Sequence, residues 1–327
     1  MIELDKVCKN YGLTKALIDV SFKIRKGEIV GFVGPNGAGK STAMKIITTY
    51  TAPTSGTAKV GGYNVMENPL EVRRLIGYLP ETVPLYADML VSEYLQFVGE
   101  ARHLNGTFQK RFDWVVEAAG LQPVLKRKIG VLSKGYKQRT CLAQALIHDP
   151  EVLILDEPTS GLDPLQIIGI RNLIKNLAHE KTIILSTHIL PEVATIADRI
   201  LVINEGRIVA DGSFEDLRQQ VSTRGSVYLA IKGSKKDFEA AQKSIKEIEE
   251  VVYDDNRRRG EVGAHLYFAK GTDYITKLNS LIREQQWDVL EFHPEKLSLE
   301  DSFIRLTQTA GSPDKTEPAD REKGGAQ

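Results

Sequence analysis

Short apolar runs alternate with longer helical patterns over roughly the first 220 residues, the texture of an α/β chain. Ile2 to Val7 and Leu17 to Ile24 alternate apolar and polar, which predicts antiparallel strands. Glu28 to Val33 is a compact apolar run stopped by glycine, so it reads as a buried strand followed by a helix over Lys40 to Thr49. Glu151 to Leu155 and Thr182 to Ser186 read as two further buried strands, with a helix over Pro164 to His179 between them. Arg199 to Asn204 and Arg207 to Ala210, joined at Glu205-Gly206, predict a hairpin. Val91 to His148 reads as a mostly helical insert without the long heptads of a coiled coil.

The pattern changes after about Val221. Strands are expected at Val227 to Ile231, Val251 to Tyr253, His265 to Phe268 and Val289 to Phe292, with helices at Lys236 to Ile248 and Asp273 to Arg283. That order suggests a small α+β unit over 221–308, of ferredoxin-like type. Asp254 to Arg259 reads as a solvated charged turn, and Leu297 to Leu306 as a last helix. Residues 309–327 are polar, with Pro and Gly, the composition of a disordered tail.

Composition narrows the class. The 327 residues are 42% hydrophobic and 26% charged, enough for a large domain plus a smaller one. Lys+Arg and Asp+Glu are equal at 43 each, without the basic excess that a nucleic-acid partner usually leaves. Two cysteines without metal-ligand spacing, Cys8 and Cys141, read as reduced buried thiols. No apolar run approaches the ~20 residues that span a bilayer.

The most informative segment is Gly34-Pro35-Asn36-Gly37-Ala38-Gly39-Lys40-Ser41-Thr42, a full P-loop pattern between an expected strand and an expected helix. Its glycines let backbone N–H groups wrap phosphate oxygens, and the following helix directs its positive end at them. Lys40 supplies charge for the outer phosphates, and the Ser41 hydroxyl suits Mg²⁺. The loop alone leaves kinases, GTPases, helicases and transport ATPases open.

Val152 to Leu155 followed by Asp156-Glu157 sets two carboxylates at the end of a buried strand, the Walker B arrangement. Asp156 suits the metal's hydration shell and Glu157 an attacking water; a solvated turn is the competing reading. His188 follows another apolar strand, where residues of such a sheet face the ligand crevice.

Leu132-Ser133-Lys134-Gly135-Tyr136-Lys137-Gln138-Arg139 resembles the ABC signature, Leu-Ser-Gly-Gly-Gln. Ser160-Gly161-Leu162-Asp163 resembles the D-loop, His188 falls at the switch histidine, and Tyr11 at the aromatic that stacks on adenine. The order of these motifs is that of an ABC nucleotide-binding domain, and the resemblance spans residues 1–220. It implies a P-loop NTPase cassette with a mixed-sheet core, an antiparallel β subdomain and a helical subdomain. It also implies ATP and Mg²⁺ as ligands, with Ser41, Glu81 and Asp156 on the metal. Ser133, Lys134, Gly135 and Asp163 are expected to meet nucleotide across a dimer, formed with a second copy or a paired ABC subunit. Separate transmembrane permease subunits would carry an unknown substrate, and the chain would sit at the cytoplasmic face of the membrane.

Lys134 and Tyr136 depart from the family's common signature, and Glu81, in Gly77-Tyr78-Leu79-Pro80-Glu81, stands where the Q-loop glutamine is usual. These variants, with Pro84-Leu85-Tyr86, look like bacterial type-2 exporter subunits. Two other readings remain: a soluble ABC ATPase acting on a non-membrane target, and an ATP-sensing regulator with little turnover.

Overall fold

The computed structural model describes residues 1–82, 84–178, 180–217, 225–254, 257–258, 260–269 and 272–295. In chain order the elements begin with β1 (Ile2–Tyr11), β2 (Thr14–Ile24), β3 (Ile29–Val33), α1 (Lys40–Ile47), β4 (Ser55–Val60), β5 (Tyr63–Asn64), α2 (Pro69–Leu75) and β6 (Ile76–Leu79). Three helices follow, α3 (Val91–Ala101), α4 (Phe108–Ala118) and α5 (Lys134–Leu146), then β7 (Val152–Asp156), α6 (Pro164–Leu177), β8 (Thr182–Thr187), α7 (Leu190–Ala194), β9 (Arg199–Asn204) and β10 (Arg207–Gly212). The last group is β11 (Ser226–Lys232), α8 (Lys235–Gln242), β12 (Ile248–Asp254), β13 (Glu261–Phe268), α9 (Tyr274–Glu284) and β14 (Asp288–Glu295).

The central sheet runs β10-β9-β3-β8-β7-β6, parallel throughout except for β10. Its middle strands are apolar without interruption because both faces are covered. Side chains alternate across a strand, so Val30, Phe32, Val152, Ile154 and Ile184 join one core with Met44, Ile46 and Ile47 of α1. Ile29, Val33, Leu153, Leu155, Ile183 and Leu185 join another with the helices α3 to α7. A smaller antiparallel sheet, β2-β1-β4-β5, closes over the α1 core. The hairpin β9–β10 turns at Glu205 and Gly206, with φ of 46° and 76°, the left-handed pair whose twist suits a two-residue turn.

Helix α5 lies hard against β6. A Cβ added at Gly77 would fall 2.1 Å from the carbonyl oxygen of Ala145, so only glycine permits the approach. His148, just past α5, places Nε2 3.0 Å from the Ile76 carbonyl oxygen. Burial, with the charges of Arg102, Arg111 and Lys181 nearby, pushes its imidazole down to about 4.

Strands β11 to β14 form a third sheet, ordered β12-β13-β11-β14 and antiparallel. Together with α8 and α9 this is a β-α-β-β-α-β arrangement. Its core uses one face: Val227, Leu229 and Ile231 of β11 pack with Leu266 and Phe268 of β13, Phe238 of α8 and Leu278 and Leu281 of α9.

Several expectations shift. The helix expected to reach Ile248 ends at Gln242, and Ile248 opens β12. The α6 helix ends at Leu177, and the expected end at His179 lies outside the described residues. Arg257 is not a solvated turn residue: its guanidinium donates to the Tyr228 hydroxyl from Nε at 2.8 Å and to Glu291 at 2.5 Å. Cys141 is buried, its thiol pushed up to about 12 by that burial, while Cys8 is half-buried and donates to Asp19 Oδ1 at 3.2 Å. The expected helix at Leu297 to Leu306 and the expected tail at 309–327 lie outside the described residues.

Candidate active site

The site is assembled at the carboxyl ends of β3, β7 and β8, where three loops leave one sheet side by side. Gly34 to Gly39 connects β3 to α1. Gly39 has φ 109°, and a Cβ there would lie 2.6 Å from the Ala16 carbonyl oxygen, so the loop needs glycine for both conformation and space. The loop wraps a cavity of about 370 Å³ lined by Asn36, Lys40, Ser41, Glu81, Glu157 and His188, among others. Gly37, Gly39 and Thr42 line it too.

Lys40 is buried. Its ammonium donates to the carbonyl oxygens of Gly34 at 2.8 Å and Pro35 at 3.2 Å, and lies 3.6 Å from Glu157 Oε1. Glu157 is buried as well, at φ 51°, a left-handed conformation that a non-glycine residue rarely adopts. Its backbone N–H donates to Ser186 Oγ at 3.1 Å, while Ser186 Oγ donates to Asp156 Oδ1 at 2.5 Å. One serine hydroxyl thus fixes both members of the carboxylate pair. His188 Nδ1 lies 3.0 Å from Glu157 Oε2 and 3.2 Å from Oε1.

Asp156, Ser41 and Glu81 share the lining of an adjoining cavity of about 530 Å³. A hydroxyl and two carboxylates are hard oxygen donors, which suits Mg²⁺. Among the described residues no group of three His, Cys, Asp or Glu side chains gathers to hold a metal by protein ligands alone.

The remaining predicted residues stand apart from this cradle. Ser133 caps α5 and accepts from the Tyr136 N–H at 3.3 Å; Asp163 caps α6 and accepts from the Gln166 N–H at 2.9 Å. Lys134 reaches along Gly161, where a Cβ would meet its Nζ at 2.2 Å, and Gly135 abuts the side chain of Gln166. Ser133, Lys134, Gly135 and Asp163 therefore lie outside the lining of their own chain's cradle, although Ser160 at the start of the D-loop reaches it. Tyr11, at the end of β1, is 48% exposed, with the Lys9 ammonium 5.0 Å over its ring. Sequence reasoning missed Ser186, a lone strand-end serine whose type carries no signal, and Ala16, which lines the cradle from β2.

The profile of the ABC transporter family matches residues 17–160. The bacitracin transport ATP-binding protein BcrA of Bacillus licheniformis is 34% identical over 308 residues, covering 94% of this chain and 97% of the relative. This chain belongs to the ABC transporter ATP-binding family. The linearmycin resistance ATP-binding protein LnrL of Bacillus subtilis is 31% identical, across 94% of this chain and 98% of its own length. A solved dimeric ATP-binding cassette, in a post-hydrolysis state with ADP and Pi, aligns with TM-score 0.59 at 28% identity, over 65% of this chain and 98% of that one. The protein is an ATP-binding, ATP-hydrolysing subunit of an ABC transporter with the P-loop cassette fold. Among the described residues, no helix is long and apolar enough to cross a membrane. In this ABC subunit the P-loop, Glu157 and His188 line one cradle, and Asp156 stands beside it at the end of β7.

Proposed function

We propose that this ABC subunit is the motor of a drug exporter at the cytoplasmic face of the membrane, working as a pair beneath transmembrane permease subunits. Two relatives named for bacitracin transport and linearmycin resistance match almost the whole chain, the part beyond the cassette included. Residues 1–220 would be the nucleotide-binding domain and 221–308 an accessory domain.

The observation behind the mechanism is the shared wall of Lys40, Glu81, Glu157 and His188 around one cradle. Backbone N–H groups of Gly34 to Ser41, and Lys40 once it swings from the loop carbonyls, hold the phosphates. Mg²⁺, when bound, offsets phosphate charge, and Ser41, Asp156 and Glu81 would hold it. Glu157 Oε orients the attacking water and accepts its proton, while His188 Nδ1 keeps that carboxylate in place. Tyr11 offers adenine the ring face that Lys9 leaves open. Ser133, Lys134, Gly135 and Asp163 lie off their own cradle, which supports their serving the partner's nucleotide. Closure would drive transport because triphosphate binds the closed pair better than the open one.

The test mixes two inactive chains. Ser133→Arg and Lys40→Ala are each expected to release phosphate poorly alone and to regain activity when combined, because one intact composite site forms. Absence of rescue in purified mixed dimers counts against the shared site. Co-purification with ribosomes or DNA, and not with a membrane polypeptide, counts against the transport assignment.

A further inference from the structure

We infer that Glu81 makes nucleotide binding conditional on a divalent cation, by repelling the bare triphosphate and attracting the metal that accompanies it. This rests on the Gly34–Thr42 loop being the phosphate site.

The charges facing the cradle are one ammonium and two carboxylates: Lys40, Glu81 and Glu157. They are not equivalent. Lys40 already has Glu157 at 3.6 Å and two loop carbonyls as acceptors. Glu157 has both Lys40 and His188 against its oxygens. Asp156, next door, is buried and accepts from Ser186. Glu81 is exposed and has no hydrogen-bond or ion-pair partner among the described residues, though it lines both the cradle and the neighbouring cavity. Lys45, Arg73 and Arg102 also line that neighbouring cavity, but none forms an ion pair with Glu81.

Glu81 is thus one unpaired carboxylate at the place a polyanion must enter. The field of this corner is felt at Tyr78, whose hydroxyl is held well above its ordinary range by burial first, then by Asp156 and, more weakly, Glu81. A triphosphate without metal meets the repulsion of that carboxylate, reduced by the water around it. With a divalent cation, the same carboxylate becomes a hard oxygen ligand, and repulsion turns to attraction. Glu81 therefore discriminates metal-bound from metal-free nucleotide before any chemistry begins.

The experiment titrates fluorescent mant-ATP into the full chain, once with magnesium and once with EDTA, for the wild type, Glu81→Gln and Glu81→Ser. Both substitutions remove the charge, one keeping the shape and one not; melting curves check that each variant is folded. The wild type is expected to bind far more weakly in EDTA. Both variants are expected to tighten metal-free binding by about tenfold or more, the scale of one unit charge a few ångströms away in a screened site. Unchanged metal-free affinity in the variants overturns the inference, as does a gain confined to the glutamine variant. If the wild type fails to bind mant-ATP even with magnesium, the phosphate-site reading itself is overturned, a distinct result.

Discussion

The central parallel sheet and the C-terminal antiparallel sheet differ in how each is covered. The parallel strands are packed on both faces, Leu153 and Leu155 towards one core, Val152 and Ile154 towards the other. No face is left for a ligand, so polar chemistry is confined to the strand ends, where Asp156, Glu157 and His188 emerge together. The C-terminal sheet buries one face behind α8 and α9 and gives the other to polar groups such as Tyr228, which donates to Asp254 Oδ2 at 2.9 Å. Double coverage leaves chemistry to the strand ends; on the C-terminal sheet the second face of β11 is closed by polar and small groups, with Tyr228 itself buried. The cradle also stores unusual backbone, with Glu157 at φ 51°, whereas β11 pairs in continuous register with β13 from Ser226 to Lys232.

The largest expected effect separates the two regions by chemistry. Glu157→Gln should retain mant-ATP but lose phosphate release by about 10²- to 10⁴-fold, the usual contribution of a positioned base. Release at the normal rate would remove the base assignment. Leu229→Ala, in the fully buried position of β11, should destabilise by about 2–5 kcal/mol in denaturant unfolding. If the sheets have separate tasks, nucleotide affinity in that variant stays as in the wild type at low temperature. Parallel losses of stability and affinity would join the two regions.

A third test probes the close contact under the parallel sheet. Gly77→Ala must push α5 from β6, with an expected cost of about 1–3 kcal/mol in the same measurement. The smallest effect is tied to acidity. An unfolded His148 titrates near 6.5 and the folded one near 4, so the unfolded chain binds more protons between those values. The stability from keeping His148 neutral is complete above about pH 6.5 and is lost as pH falls through 4. The gap between the two values sets an upper bound of about 3 kcal/mol. His148→Gln should flatten that part of the stability–pH curve; an unchanged slope assigns it to other groups.

The legible parts of the chain were those where one physical demand set the residue pattern. The strands β3, β7 and β8 are short and wholly apolar because both sides are buried, and the P-loop composition follows from phosphate geometry. The strand β4, Ser55-Gly-Thr-Ala-Lys-Val60, was not legible: only Ala58 and Val60 are buried, so its alternation is too short to stand out. The four-residue β6 and the seven-residue α2 fell below the length at which a period can be read. Helix α8 was extended too far because Ile245 and Ile248 continue its apolar spacing, although Ile248 begins the next strand. In the site, motif order placed Lys40, Asp156, Glu157 and His188 together. The Ser186 bridge and the left-handed Glu157 were hidden, since both depend on how two neighbouring strands end at the same height.

The strand order β12-β13-β11-β14 has a bearing on crowding. Strands β12 and β14 have no second neighbour among the described residues, and open backbone margins invite adhesion between molecules. Pro294 on β14 has no N–H to offer a neighbouring strand, and Glu249 and Glu250 on β12 are polar where an adhesive strand would be apolar. When many copies share a small area, the margins therefore resist zipping together, and substituting Glu250 and Pro294 with Val would be expected to turn the same strands into glue.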